Sequence, residues 1–191
     1  VTVDYIFNNR SAILSNNADG VEQLVNYICE QGHEKISFIH GKDSAVTRER
    51  IGSFYRNVNR RGITIADEYM KECPYLDSER AAEVTKELLE LDDRPTCIMY
   101  PDDFSALGGI MAIREKGYKI PEDISVTGYD GLSISCAITP RLTTLVQDTK
   151  SIGTMAAKKL IREIESPNTA FPERVSINGS LQKGETVKFI K

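Results

Sequence analysis

The 191-residue sequence predicts an α/β fold with parallel sheets that are covered by helices on both faces, a doubly wound arrangement. Short apolar runs that suit buried strands alternate along the chain with stretches whose apolar residues recur at helical spacing. Several of these runs are followed at once by a charged or amide side chain. Because parallel sheets bind ligands beyond the carboxyl ends of their strands, the pattern also predicts where a site would lie.

Strands are predicted wherever a short apolar run is bounded by turn residues. These runs cover residues 1–7, 12–15, 36–40, 97–100, 124–129, 142–146, 174–177, 180–182 and 187–190. Asn178-Gly179 and Lys183-Gly184 are turn signals that separate the last three runs. We therefore expect a small antiparallel addition to a mostly parallel sheet.

Helices are predicted from apolar residues that recur every three or four positions. They cover about residues 19–30, 46–61, 77–91, 104–116 and 149–164. Gly32, Gly62 and Gly117 follow three of these stretches, and glycine is the residue that most often ends a helix.

Composition and charge exclude several classes of protein. The chain is 40% hydrophobic and 27% charged, as in ordinary globular proteins, and its apolar runs are far shorter than the roughly 20 residues that span a bilayer. With 28 acidic against 24 basic side chains, the net charge of -4 argues against a nucleic-acid-binding surface on this piece.

The start of the sequence and the cysteines favour a cytoplasmic piece of a larger protein. No basic segment followed by an apolar signal core opens the sequence, which has no initiator Met and starts inside a predicted strand. The four cysteines are too far apart in sequence for a zinc site or a redox-active dithiol, so we expect them to be reduced.

Arg50 lies near the start of the helix that follows strand 36–40, which would place its guanidinium near the rim of the sheet. A guanidinium presents several donors in one plane and can clamp adjacent hydroxyl groups. A surface arginine that pairs with Glu49 or Asp43 is the alternative.

Asp102 and Asp103 follow strand 97–100 and open the next helix. A carboxylate at such a position can act as an N-cap, accepting from the first-turn amides. Because Phe104 to Ala106 would form the first turn, we expect Asp103 to be the cap and Asp102 to be free to accept from a ligand.

Asp130 lies between glycines in Gly128-Tyr-Asp-Gly131, where the backbone must turn sharply and a side chain can project into a cleft. An Asx turn that only satisfies local amides is the alternative. Gln147 directly follows the next strand. An arginine, carboxylates and an amide on one rim predict a receptor for a polyhydroxylated small molecule.

Catalysis has no positive support in the sequence. No nucleophile elbow, Walker-type phosphate loop or dinucleotide-binding glycine pattern is present. His33 and His40 have no nearby cysteine or acid pair that would complete a metal site. We expect neither an enzyme nor a bound cofactor or metal.

Several motifs in fixed order run through nearly the whole chain. They are Asn16-Asn17-Ala-Asp-Gly20, Gly32-His33, Arg50 ahead of Phe54, Arg94-Pro-Thr-Cys-Ile98 leading to Asp102-Asp103-Phe-Ser-Ala-Leu-Gly108, Ile120-Pro-Glu-Asp-Ile-Ser-Val-Thr-Gly-Tyr-Asp130, and Pro140-Arg-Leu-Thr-Thr-Leu-Val-Gln-Asp148. On these motifs the chain resembles the effector-binding domain of LacI/GalR (lactose-repressor-type) transcription regulators.

The resemblance implies a two-lobed fold of the type I periplasmic-binding-protein kind, with three crossovers between the lobes. It implies a complete C-terminal lobe from residues 33–146 and 167–191 and a partial N-terminal lobe from residues 1–32 and 147–166. It also implies a cytoplasmic homodimer with no membrane partner. Operator DNA would be bound through a helix-turn-helix domain that this sequence lacks.

The resemblance further implies that Arg50, Asp102, Asp130 and Gln147 contact a small effector, a carbohydrate or a derivative of one. Tyr75 on the cleft wall and Asp19 on the opposite lobe are additional candidates, which completes a predicted site of six residues. An exported sugar receptor that feeds a transporter shares this fold and is the alternative function.

One departure from the family pattern affects the expected ligand. The family usually has Asn-Asp where this chain has Asp102-Asp103. A second carboxylate removes amide donors and adds acceptors, so we expect a ligand that is rich in hydroxyl groups or positively charged.

Overall fold

The computed structural model describes residues 1–166 and 171–190. Residues 167–170 and 191, which the sequence assigns to the C-terminal lobe, lie outside the described residues. The helices are α1 (Asn17–Glu30), α2 (Ala45–Asn59), α3 (Ser78–Leu89), α4 (Asp103–Glu115), α5 (Ile134–Ala137) and α6 (Thr149–Glu165). The strands are β1 (Thr2–Val3), β2 (Ala12–Ser15), β3 (Ile36–His40), β4 (Met70–Glu72), β5 (Cys97–Met99), β6 (Ser125–Asp130), β7 (Thr143–Val146), β8 (Arg174–Ile177) and β9 (Ser180–Gln182).

The larger of two sheets has the strand order β4-β3-β5-β6-β7-β9. All its neighbouring strands are parallel except β7 and β9, which are antiparallel. Helices on both faces connect these strands, so the predicted α/β class is confirmed. In the described part of the chain, no helix has the length and apolar content that crossing a bilayer requires.

The core lies on both faces of this larger sheet, and β5 shows why its sequence is continuously apolar. Cys97 and Met99 pack with side chains from α1 and α2, whereas Ile98 packs with side chains from α3 and α4. Successive strand residues point to opposite faces, and here both faces are covered by helices.

The smaller sheet has the order β1-β2-β8 and is parallel throughout. α6 packs against β1 and β2. Within the described residues the chain passes between the two units three times, from β2 to α1, from β7 to α6 and from β8 to β9. This agrees with the three crossovers that the resemblance implies.

The boundaries of the two units differ from those expected from the sequence. Residues 1–32 were expected in the smaller lobe, but α1 buries Leu24 and Ile28 in the same cluster as Phe38 of the larger sheet. Strand β8 pairs with β2, so residues 174–177 belong to the smaller unit and not to the C-terminal lobe. Helical periodicity shows that a helix has an apolar face but not which sheet it covers.

Some predicted strands also change. The strand expected over residues 1–7 is limited to β1, and residues 187–190 form no strand. The sequence missed β4, a short edge strand of Met70, Lys71 and Glu72 that lacks an apolar run. Only β9 forms the expected antiparallel addition, because β8 joins the other sheet.

Two adjacent glycines let α4 approach its neighbours closely. A Cβ atom added at Gly108 would lie 1.9 Å from the carbonyl oxygen of Ser78, the first residue of α3. A Cβ atom added at Gly109 would lie 1.9 Å from the hydroxyl of Tyr100. α4 therefore packs directly on the backbone of α3, which fixes the start of α4 under the rim of the sheet.

We predict that Gly108→Ala lowers the free energy of unfolding by about 1 to 3 kcal/mol, because helix backbones must separate to admit the methyl group. Gly153→Ala is the matched control, since a Cβ atom at Gly153 on α6 meets nothing within 4 Å. It should stabilise the chain by roughly 0.5 to 1 kcal/mol through helix propensity. Urea unfolding measures both, and equal stability of the two variants would contradict the close packing.

Candidate functional site

The rim that the sequence predicts is formed where β3, β5, β6 and β7 end at one edge of the larger sheet. The loops after these strands carry the polar side chains, and the smaller sheet contacts the same edge through β2. The site is therefore a cleft between the two sheets, as the fold class predicts.

Arg50 is buried in this rim, with 5% of its surface exposed. Its Nε donates to Asn17 Oδ1 at 2.9 Å, and its Nη1 donates to the carbonyl oxygen of Pro101 at 2.8 Å. The guanidinium lies 3.6 Å from the ring centroid of Tyr129, a close cation-π contact. These contacts exclude the alternative of a surface arginine, since Arg48 is the residue that pairs with Asp43.

Asp130 ends β6 with a backbone φ of 101°, a conformation that residues other than glycine rarely adopt. Its Oδ1 accepts from Gln147 Nε2 at 2.5 Å. Burial raises the pKa of the Asp130 carboxyl, and the nearby positive charge of Arg50 opposes that rise. The side chain is thus bound to Gln147 and is electrostatically coupled to Arg50.

Gln147 connects the two sheets. Its amide nitrogen binds Asp130 on the larger sheet, and its Oε1 accepts from the Ser15 hydroxyl at the end of β2, at 2.5 Å. The backbone amide of Ser15 in turn donates to Asp4 Oδ1 at 2.6 Å. One chain of hydrogen bonds therefore crosses the cleft from Asp130 to Asp4.

Tyr75 lies beside Arg50 at this rim, with 36% of its surface exposed. Its hydroxyl is 3.0 Å from Thr47 Oγ1, and Arg50 Cζ lies 5.7 Å from its ring centroid. The ring packs on Gly41, where an added Cβ atom would lie 2.2 Å from a ring carbon. Tyr75 and Tyr129 therefore both contact the Arg50 guanidinium.

Asp19 differs from the expectation that it lies on the opposite lobe. It is in the first turn of α1, which packs on the larger sheet, and its Oδ2 accepts from Gln23 Nε2 at 2.6 Å. The side chain is therefore engaged along its own helix.

Asp102 also differs from expectation, because it is the N-cap of α4 and is fully buried. Its Oδ1 accepts from the Ser105 amide at 2.7 Å, and its Oδ2 accepts from the Ser105 hydroxyl and the Leu76 amide, each at 2.9 Å. Both oxygens are engaged within the protein. The sequence predicted the cap one residue too late, so the carboxylate expected to be free is the one that the helix uses.

Asp103 points to the other side of the same helix start. Its Oδ1 accepts from Thr144 Oγ1 at 2.5 Å, and its Oδ2 accepts from the Leu132 amide at 2.6 Å. Burial raises the pKa of this carboxyl to about 7, although the hydrogen bonds from Thr144 and from the Leu132 and Gly131 amides oppose the rise. Asp103 thus fixes the turn that follows Asp130.

A cleft of about 510 Å³ adjoins these groups. One side is formed by the smaller unit and the other by the loop and first turn of α2, with Asn17 between them. The lining residues are Asp4, Tyr5, Ile6, Leu14, Ser15, Asn17, Asp43, Ser44, Ala45, Val46, Arg48 and Glu49. Asn17 also orients Arg50, so the cleft and the arginine share a residue.

The structure therefore brings Arg50, Asp130, Gln147 and Tyr75 to one region, and leaves Asp102 and Asp19 engaged elsewhere. Sequence reasoning missed the supporting side chains, above all Asn17, Tyr129 and Ser15. These side chains make contacts between segments that are distant in sequence, so local residue spacing does not predict them. In the described part of the chain no three metal-ligating side chains lie close enough to hold a metal ion.

Comparison with known proteins identifies the domain family and similar proteins. The model of the periplasmic binding protein-like domain matches residues 25–187. The chain is 35% identical over 154 residues to the transcriptional repressor PurR of Vibrio atlanticus, covering 80% of this chain and 46% of that protein. It is 32% identical over 179 residues to PurR of Mannheimia succiniciproducens, covering 93% of this chain and 53% of that protein. The chain thus spans about half the length of these curated relatives.

Solved structures give the same result. A LacI-type regulator from Bacillus cereus subsp. cytotoxis superimposes with a TM-score of 0.91 at 26% identity, over 98% of this chain and 66% of that one. The lac repressor dimer bound to operator superimposes with a TM-score of 0.82 at 26% identity, over 93% of this chain and 60% of that one. The fold of the regulator CelR, solved with cellobiose, is also similar, with a TM-score of 0.87 at 23% identity over 93% of this chain and 54% of that one.

We predict that Asp103 makes stability depend on pH. Its pKa rises from 3.8 to about 7 on folding, so the folded chain binds more protons between these values. The free energy of unfolding should therefore fall as pH rises through that window, and Asp103→Asn should flatten the fall by roughly 2 to 4 kcal/mol. Urea unfolding at pH 5 and pH 8 measures this, with exposed Asp67→Asn as the control. An unchanged pH dependence in Asp103→Asn would contradict the assignment.

Proposed function

The chain belongs to the family of periplasmic binding protein-like domains, and from this premise we propose that it is the effector-binding part of a LacI/GalR-type transcription regulator. Its effector is a sugar or a sugar derivative, held between the two units. Its relatives are transcriptional repressors, so we assign it a receptor role and not a catalytic one. The same relatives favour a cytoplasmic regulator over the alternative of an exported sugar receptor.

The observation that carries the proposal is the buried guanidinium beside the Asp130–Gln147 pair. Among the described residues no protein group binds Arg50 Nη2 or Asp130 Oδ2. One donor group and one acceptor then remain for a ligand, on a rim where Tyr75 adds an aromatic face. Neighbouring sugar hydroxyls can accept from the guanidinium and donate to the carboxylate, while aromatic rings pack on the C–H groups of the ring.

The hydrogen bond between Gln147 and Ser15 suggests how binding is transmitted. Gln147 holds the residue that would meet the effector and also holds the end of β2 in the smaller unit. A ligand bound at Asp130 Oδ2 acts on the same carboxylate that Gln147 holds through Oδ1, and so biases the angle between the units. In the longer regulator, a differential affinity of this kind shifts operator binding.

The polar groups of the cleft also bear on the class of effector. Asp102 is engaged within the protein, so it supplies none of the acceptors that the sequence suggested. The cleft still carries the carboxylates of Asp4, Asp43 and Glu49, with Arg48 paired to Asp43. A neutral hydroxylated ligand fits these surroundings better than an anion does.

We predict that calorimetry against neutral sugars, including ribose and cellobiose, detects binding by the wild-type chain. Asp130→Asn keeps an acceptor for Gln147 but turns the free acceptor into a donor, so affinity should fall roughly 10- to 100-fold. Asp92→Asn, an exposed change outside the cleft, should leave affinity unchanged. Adenine, which has no hydroxyl groups, is the comparison ligand. Binding of adenine alone, or of no sugar at all, would contradict the proposed effector class.

Homodimerisation is the second part of the proposal, and α4 offers an apolar surface for it. Phe104 and Met111 lie seven residues apart on one helix face and are 42% and 62% exposed. Leu132, 40% exposed, lies beside the start of this helix because its amide binds Asp103. A structural relative, the lac repressor, was solved as a dimer.

We predict that Met111→Glu weakens self-association of the chain at least roughly tenfold, because an unpaired carboxylate would be buried in the interface. Ile164→Glu is the matched control, since Ile164 on α6 is 70% exposed and lies outside this surface. Sedimentation equilibrium measures both. If Ile164→Glu dissociates the dimer and Met111→Glu does not, the interface lies on α6 instead.

A further inference from the structure

The loop that carries Tyr75 is held by a side chain from a different element. Residues 73–77 connect β4 to α3, and Leu76 within them has a backbone φ of 59°. Residues with a side chain rarely adopt this conformation unless their surroundings impose it. The Leu76 amide donates to Asp102 Oδ2 at 2.9 Å, so the buried carboxylate at the start of α4 fixes this backbone.

The chemistry of position 102 requires a carboxylate for this purpose. Oδ1 accepts from the Ser105 amide, while Oδ2 accepts from the Leu76 amide. Both partners are N–H donors, and they approach opposite oxygens of one side chain. An asparagine can satisfy only one of them, because its amide nitrogen would then face the other donor.

Tyr75 immediately precedes the fixed amide, and its ring lies on the cleft wall against Gly41 and near Arg50. The Tyr75 hydroxyl contacts Thr47 Oγ1 at 3.0 Å, and the next residue along the chain is Leu76, whose backbone has the unusual φ. Asp102, which is fully buried, therefore holds the backbone directly next to the aromatic side chain.

We propose that Asp102 is a positioning residue that sets the aromatic wall of the cleft through Leu76 and does not contact the effector. The part that concerns the loop stands on the contacts alone. The part that concerns ligand selectivity rests on the proposed function, because it requires that Tyr75 meets the effector.

The first test needs no ligand. Hydrogen–deuterium exchange of the segment containing Leu76 is compared in the wild type, Asp102→Asn and Ser105→Ala. Asp102→Asn keeps an oxygen for the Ser105 amide and loses the Leu76 bond, so exchange at Leu76 should rise at least roughly tenfold. Ser105→Ala removes a hydroxyl bond to the same carboxylate but leaves Leu76 bound, so exchange there should stay at the wild-type rate.

Asp102→Ser is the second variant, since serine is also a good N-cap but its side chain is too short to reach Leu76 as well. It should reproduce the rise in exchange. Unchanged exchange in Asp102→Asn and Asp102→Ser would overturn the proposal. So would an equal rise in Ser105→Ala, or global unfolding of both Asp102 variants, because Asp102 would then be a general support of the fold.

The position of the ring itself can be followed because the chain contains no tryptophan. Tyr75→Trp therefore provides a single tryptophan, whose fluorescence can be followed. Acrylamide should quench it more in the Tyr75→Trp/Asp102→Asn pair than in Tyr75→Trp alone, and equally in the Tyr75→Trp/Ser105→Ala pair. Equal quenching in all three proteins would contradict the dependence of the ring on Asp102.

The selectivity part uses whichever sugar of the calorimetric panel binds the wild type. Asp102→Asn and Tyr75→Ala should each lower the affinity for that sugar. The double variant should bind it as tightly as Tyr75→Ala does, since both changes remove the same contact. Additive losses would overturn this part. If no sugar binds the wild type, the proposed function fails, while hydrogen exchange still decides the role of Asp102.

Discussion

The buried guanidinium of Arg50 is the constraint on which the rest of the site depends. A charge taken out of water must be surrounded by acceptors and polarisable groups, or the fold loses several kcal/mol. Here the partners come from separate elements: Asn17 from α1, the Pro101 carbonyl from the loop after β5, and the ring of Tyr129 from β6. Satisfying one side chain therefore brings the start of α1 and the ends of two strands to a common point.

The same convergence explains why the two sheets meet where they do. The segment from β2 into α1 is one of the crossovers, and Ser15 and Asn17 lie within it. Ser15 binds Gln147, which follows β7, and Asn17 binds Arg50. The crossover thus forms hydrogen bonds both with Gln147, which links the two sheets, and with the guanidinium of Arg50. A change in the angle between the sheets must strain or rearrange at least one of these hydrogen bonds.

Sequence reasoning recovered what depends on local pattern and missed what depends on which segments meet. Apolar periodicity located every helix except the short α5, which it missed, and most strands. β3 and β7 were among the strands found, because burial on two faces leaves a continuous apolar run. It did not assign α1 or β8 to a sheet, since either sheet offers an apolar surface. The rim of Arg50, Asp130 and Gln147 follows from strand ends and was recovered. The Asp102 side chain accepts a hydrogen bond from the amide of Leu76, 26 residues away in sequence. No local sequence spacing predicts this contact.

The two adjacent carboxylates at the start of α4 bind backbone amides in two different loops, and each fixes its loop. Asp102 holds the Leu76 amide and so the loop of Tyr75, while Asp103 holds the Leu132 amide and so the turn after Asp130. Tyr75 and Asp130 both lie near Arg50, and each has a backbone of unusual φ beside or within it. Such backbone is kept only where surroundings over-determine it. The first turn of α4 therefore holds the backbone beside Tyr75 and the turn after Asp130, and the following turn packs against α3 through Gly108. On the proposed function, substitutions there alter effector recognition without touching the effector.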